Sequence, residues 1–109
     1  MEPVAETREE AIVDLESRIE LAEKMKKLLA NDDFQDIFEE RFIKAWTITN
    51  TYKMAVYNDE TRARVQEGMV ARSHFTQFIE SIIIDGNTAK KDLAELAHDA
   101  GDDNEEESY

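Results

Sequence analysis

The sequence predicts an all-α protein: an elongated three-helix hairpin or bundle with a short fourth C-terminal helix and a disordered acidic tail. Three observations carry that expectation. Apolar residues recur at spacings of three and four along most of the chain, and no partner strands with alternating apolar residues stand against them. Glycine (three) and proline (one) are too scarce for a turn-rich β architecture. Charged residues reach 36% and hydrophobic ones 41%, which suits helices with broad wet faces better than a compact α/β core.

The first helix is expected from about Thr7 to Ala30. Ile12, Leu15, Ile19, Ala22, Met25 and Leu29 form one apolar stripe, narrow enough to resemble a coiled-coil seam, although Lys26 interrupts a strict heptad. Acids lead and lysines finish, as the helix dipole prefers, and Glu20 with Lys24 and Glu23 with Lys27 make i,i+4 pairs in the favourable order. Asn31-Asp32-Asp33 is suited to end this helix and cap the next. Phe34, Ile37, Phe38, Phe42, Ile43 and Trp46 then give an aromatic stripe, expected at the centre of the fold with Trp46 buried. Thr47 to Thr51 reads TITNT, which predicts a soft spot or kink within a helix.

Asn58-Asp59 marks a second break and cap. A long helix is expected from Arg62 to Asp85, with Val65, Met69, Arg72, Phe75, Ile79 and Ile82 along one face. Gly86-Asn87 reads as its end, followed by a short closing helix through Ala97. The last eleven residues, DAGDDNEEESY, hold six acids and no base. That is −6 of the net −13, so the rest carries −7. The domain reading is therefore a flexible N-terminus over 1–6, a single helical domain over 7–97, and a disordered acidic tail over 98–109.

Composition narrows the function classes. The absence of cysteine removes disulfides, thiolate catalysis and cysteine metal sites. A pI near 4.4 argues against direct nucleic-acid binding and against anionic membranes. No apolar run approaches the roughly 18 residues of a membrane span, and the opening MEPVAETREE lacks the apolar core of a secretory signal. His74 and His98 match no metal motif, adjacent carboxylates such as Glu39-Glu40 point apart on a helix, and Ser73, Ser81 and Ser108 lack a nucleophile context. The sequence thus nominates no catalytic residue, no metal ligand and no cofactor. Arg62, Arg64 and Arg72 form the one notable basic group; with Lys53 they offer a local positive face, but pairing with the abundant acids of the chain is the simpler expectation.

Lys24 to Phe34 (KMKKLLANDDF) and Phe75 to Leu96 (FTQFIESIIIDGNTAKKDLAEL), in that order behind an acidic helix, resemble a group of small helical proteins of tailed bacteriophages. Those relatives are mostly of unassigned function and are often encoded among virion-structure and assembly genes. The likeness covers roughly residues 10 to 97 and departs over Thr47 to Tyr57, which is richer here in Thr, Asn and Tyr. It implies a non-enzymatic module acting in virion assembly or as a minor virion component, partnered by other phage structural or assembly proteins, in the host cytoplasm or the virion. The residues themselves point to self-association through the apolar surplus at Ile12, Leu15, Ile19, Phe78, Ile82 and Ile83. The alternative is an acidic inhibitor that presents a DNA-like array of carboxylates to a host nucleic-acid-binding protein. Two features weigh against it: nearly half the charge sits in the tail, and the helical faces mix Lys and Arg with the acids.

Overall fold

The structure, a computed structural model, describes residues 7–107, with side chains through Asp99. All of its regular elements are helical among the described residues. They are α1 (Arg8–Leu29), α2 (Asp32–Phe34), a π-helical stretch (Gln35–Ala45), α3 (Trp46–Lys53), a 3-10 turn (Met54–Val56) and α4 (Asp59–Glu107).

The starts of α1, α2 and α4 each have a local cause. Thr7 opens α1 with a capping box. Its hydroxyl accepts from the Glu10 amide at 3.1 Å, and its own amide donates back to the Glu10 carboxylate at 3.4 Å, so two end-of-helix donors are satisfied. Asn31 sits extended (φ −74°, ψ 126°) and its side chain accepts from the Phe34 amide at 2.9 Å, as its position in the sequence predicted. The Asn58 side chain caps α4, accepting from the Thr61 amide at 2.8 Å. Between these caps, Gln35 donates to the Leu29 carbonyl at 2.7 Å, which closes the end of α1. Arg62 donates to the carbonyls of Met54 (3.3 Å) and Tyr57 (3.0 Å), which pins the corner before α4.

Two expectations about helix continuity are corrected. Gly86-Asn87 does not end a helix, and no separate closing helix follows. α4 is one helix of 49 residues that starts at Asp59 rather than Arg62. Gly86 is there for packing. A Cβ on it would collide with the Ala22 methyl and would lie 3.5 Å from the Arg18 carbonyl, so the residue lets α1 and α4 approach closely. Likewise, Thr47 to Thr51 is regular α-helix. Asn50 and Thr51 return their side chains to the carbonyls four residues back, Trp46 and Thr47, at 2.8 and 2.7 Å. Irregular winding falls on either side of that segment instead, in the π-helical stretch and the 3-10 turn. Of the acidic tail expected to be disordered over 98–109, residues 98–107 continue α4, and Ser108 and Tyr109 lie outside the described residues.

The chain groups into two compact units. One joins the chain up to Met25 with the chain from Ser81 onward; the other is Lys26–Glu80. In the first, α1 and α4 run antiparallel and bury Leu15, Ala22 and Ala89 around Gly86. In the second, Val65 and Ile79 of α4 are the buried apolar residues.

Candidate interaction surface

In the Lys26–Glu80 unit the aromatic stripe becomes a ladder. Phe34 and Phe38 stack with centroids 5.0 Å apart, Phe38 and Phe42 at 5.4 Å, and Phe75 of α4 meets Phe38 at 4.7 Å. The π-helical winding between Gln35 and Ala45 helps build it. An i→i+5 hydrogen-bond pattern holds more residues per turn than an α-helix, so positions four apart lie closer to one line.

Arg72 closes the ladder. Its guanidinium lies 3.5 Å from the Trp46 ring centroid and 4.1 Å from that of Phe42, a cation held on two π faces. The same group repairs the backbone where the π-helical stretch hands over to α3. The Trp46 amide donates to the carbonyls of Arg41 and Ile43, skipping the Phe42 carbonyl that an α-helix would give it. Arg72 Nε donates to that Phe42 carbonyl at 2.8 Å, and Nη1 donates to Gly68 at 3.1 Å. Burial lowers the guanidinium pKa. Gly68 leaves room for the indole, because a Cβ there would sit 2.8 Å from the Trp46 ring.

Two sequence readings change here. Trp46 is half-buried rather than interior. Arg72 stacks on rings and caps carbonyls instead of pairing with an acid. Arg62 and Arg64 do reach acids, Asp59 at 3.5 Å and Glu60 at 2.6 Å. Beside Arg72 runs a shallow groove lined by Ile43, Thr47, Met69, Thr76 and Glu80. Phe75 and Phe78 project from the same unit at 47% and 59% exposure.

The other unit is held by charge as well as by small-residue packing. Arg18 donates twice to Asp85, Nε at 2.9 Å and Nη2 at 2.8 Å. These bonds raise the guanidinium pKa and hold the Asp85 carboxyl below its usual range. Glu23 takes Lys90 at 2.7 Å, while Glu20 pairs with Lys24 at 3.3 Å as expected. Arg8 donates to the Leu96 carbonyl at 3.0 Å.

Of the six residues nominated for self-association, Leu15 is spent inside the chain, only 7% exposed between α1 and α4. Ile12, Ile19, Ile82 and Ile83 are half-buried, and Phe78 alone of the six is exposed. The nominated stripe of α1 is therefore the face that packs on α4. Among the described residues no group of three or more His, Asp or Glu side chains stands close enough to hold a metal ion, and no helix is long and apolar enough to cross a membrane. No known protein family, characterised protein or solved structure matches the chain.

Proposed function

We propose that the chain is a non-enzymatic protein–protein interaction module that acts in virion assembly or as a minor virion component. The observation that carries the reading is where its apolar side chains lie. Among the described residues five hydrophobic side chains are buried, Leu15, Ala22, Val65, Ile79 and Ala89, whereas twelve large ones are exposed. Single exposed apolar residues need no explanation, but so many beside so small a core favour contact surfaces. The ion pairs Arg18–Asp85, Lys44–Glu40, Arg64–Glu60 and Lys90–Glu23 favour this reading over a carboxylate array aimed at a nucleic-acid-binding protein, because they neutralise acids that a mimic would display. Affinity capture of the tagged chain from infected cells, read by mass spectrometry, tests it. Capsid, portal or tail proteins are the expected company; a host polymerase or nuclease would overturn the reading.

A further inference from the structure

The segment Thr47–Val56 (TITNTYKMAV) is helical without the usual reasons for a helix. Seven of the eight residues of α3, all but Lys53, are weak helix formers. Packing does not compel it either, since α3 and the 3-10 turn contain no buried residue. The helix turns Ile48, Tyr52 and Val56 to water, at 56%, 84% and 81% exposure, and gives half-buried positions to Thr47 and Asn50. In an extended chain the same residues sort differently. Ile48, Tyr52, Met54 and Val56 fall on one side, with Asn50 among them, and Thr47, Thr49, Thr51 and Lys53 fall on the other. Thr, Ile, Tyr and Val are also the residues that a pleated surface favours. The segment has no Pro or Gly, and it lies in the longest acid-free stretch of the chain, Arg41 to Asn58. High β propensity, low charge and the absence of Pro and Gly are the marks of a segment that stacks as cross-β.

We propose that Thr47–Val56 is a latent β-strand, helical in the free chain and extended when it pairs with the same segment of a second copy. Such pairing goes beyond the interaction-module reading and does not depend on it. The second copy is selected by the repetition that cross-β stacking requires. Stacked copies set Ile48, Tyr52 and Val56 against their equals, while rows of Asn50 amides and threonine hydroxyls bond along the stack. The chain supplies no strand of its own to pair with, since its regular elements are all helical among the described residues. Little holds the helix against the change. Asn50 and Thr51 donate to the Trp46 and Thr47 carbonyls, and the Tyr57 hydroxyl donates to Asn50 Oδ1 at 2.8 Å, all within Trp46–Tyr57. From outside, Arg62 holds the Met54 and Tyr57 carbonyls at the far end. The winding also changes at both ends of α3, to π-helical before Trp46 and to 3-10 after Lys53, so the segment is bounded by points where the helix is already irregular.

The test uses the purified full chain, agitated at tens of micromolar just below its melting range. Circular dichroism should pass from helix to β after a lag, and thioflavin T should brighten in step. Seeds of the product should abolish the lag, because each copy templates the next. Hydrogen exchange on the product should protect Thr47–Val56. Thr49→Glu should lengthen the lag about tenfold or more, because a charge breaks the stack. It should not lower the melting temperature, since Glu is the better helix former and stands four residues before Lys53. Thr49→Val keeps the helix propensity but fills the strand with another β-branched apolar side chain, and should shorten the lag several-fold. Val70→Glu adds the same charge at an exposed apolar position on α4 and should keep the parent's lag. A parent that stays helical, a protected core outside Thr47–Val56, a Thr49→Glu chain that converts as fast as the parent, or a Val70→Glu chain slowed as much as Thr49→Glu would each overturn the proposal. A chain that becomes extended only against the sheet edge of another protein would overturn pairing between copies. A chain that stays helical yet captures virion proteins would remove the latent strand and leave the interaction module standing.

Discussion

Gly86→Ala sets two opposing effects of known size against each other. In a helix interior, replacing glycine by alanine stabilises by about 0.8–1 kcal/mol, because the chain loses less backbone freedom on folding. Here the new methyl would collide with the Ala22 methyl, which is fixed to its backbone and has no rotamer to escape into. Only separation of α1 from α4 relieves the contact, and overpacking of that sort costs roughly 1–3 kcal/mol. The net expectation is destabilisation of up to about 2 kcal/mol, opposite in sign to helix propensity. Urea denaturation followed by circular dichroism measures it. The Ala22→Gly background supplies the control. With the opposing methyl gone, Gly86→Ala should become stabilising by about the full propensity gain, so the two positions should couple by roughly 1–3 kcal/mol. Stabilisation by Gly86→Ala in the parent chain would refute the close approach of the two helices.

Other consequences follow from the same contacts. Arg72→Ala should cost about 1–3 kcal/mol and shift Trp46 fluorescence, with Arg72→Lys recovering little, since an ammonium cannot both stack on two rings and reach two carbonyls. A parent-like melt and emission spectrum for Arg72→Ala would contradict that role. Asp85→Asn should lower the melting temperature at neutral pH. Because Arg18 depresses the folded-state pKa of Asp85, the carboxylate's stabilisation is complete above the ordinary aspartate value of about 3.9 and fades as pH falls through the lower folded value. The gap between parent and variant should therefore close in strong acid; a gap that is constant with pH would rule out the pairing. Deleting residues 99–109 takes the net charge from −13 to −7 and should raise the melting temperature slightly at low salt, with the gain lost at high salt. A fall of several degrees would show that the segment supports the body.

What the sequence disclosed was mostly local. Asn31 and Asn58 act as caps because a side-chain carbonyl three residues before a free amide is a short-range device. The stripe of α1 and the Val65–Ile79 face of α4 were legible from periodicity, which depends on the helix alone. Gly86 was misread because its reason lies some sixty residues away, in the Ala22 methyl, while its local signal was that of a helix breaker. The irregular winding was misplaced because TITNT is a weak helix former by propensity yet is secured by two side-chain returns. Arg72 could have been anticipated: an arginine on an otherwise apolar face, in a chain with Phe42 and Trp46 one turn apart, is a signature of stacking as much as of ion pairing.

The interaction reading stands or falls on quantitative capture of two tagged chains from infected cells, the parent and the double variant Phe78→Ser/Ile84→Ser. Both positions are exposed, at 59% and 63%, so the variant should fold with unchanged helicity. The parent should enrich capsid, portal or tail proteins, and the variant should lose most of that enrichment. Equal recovery by the two chains, or enrichment of a host polymerase or nuclease in place of virion proteins, would contradict the assignment.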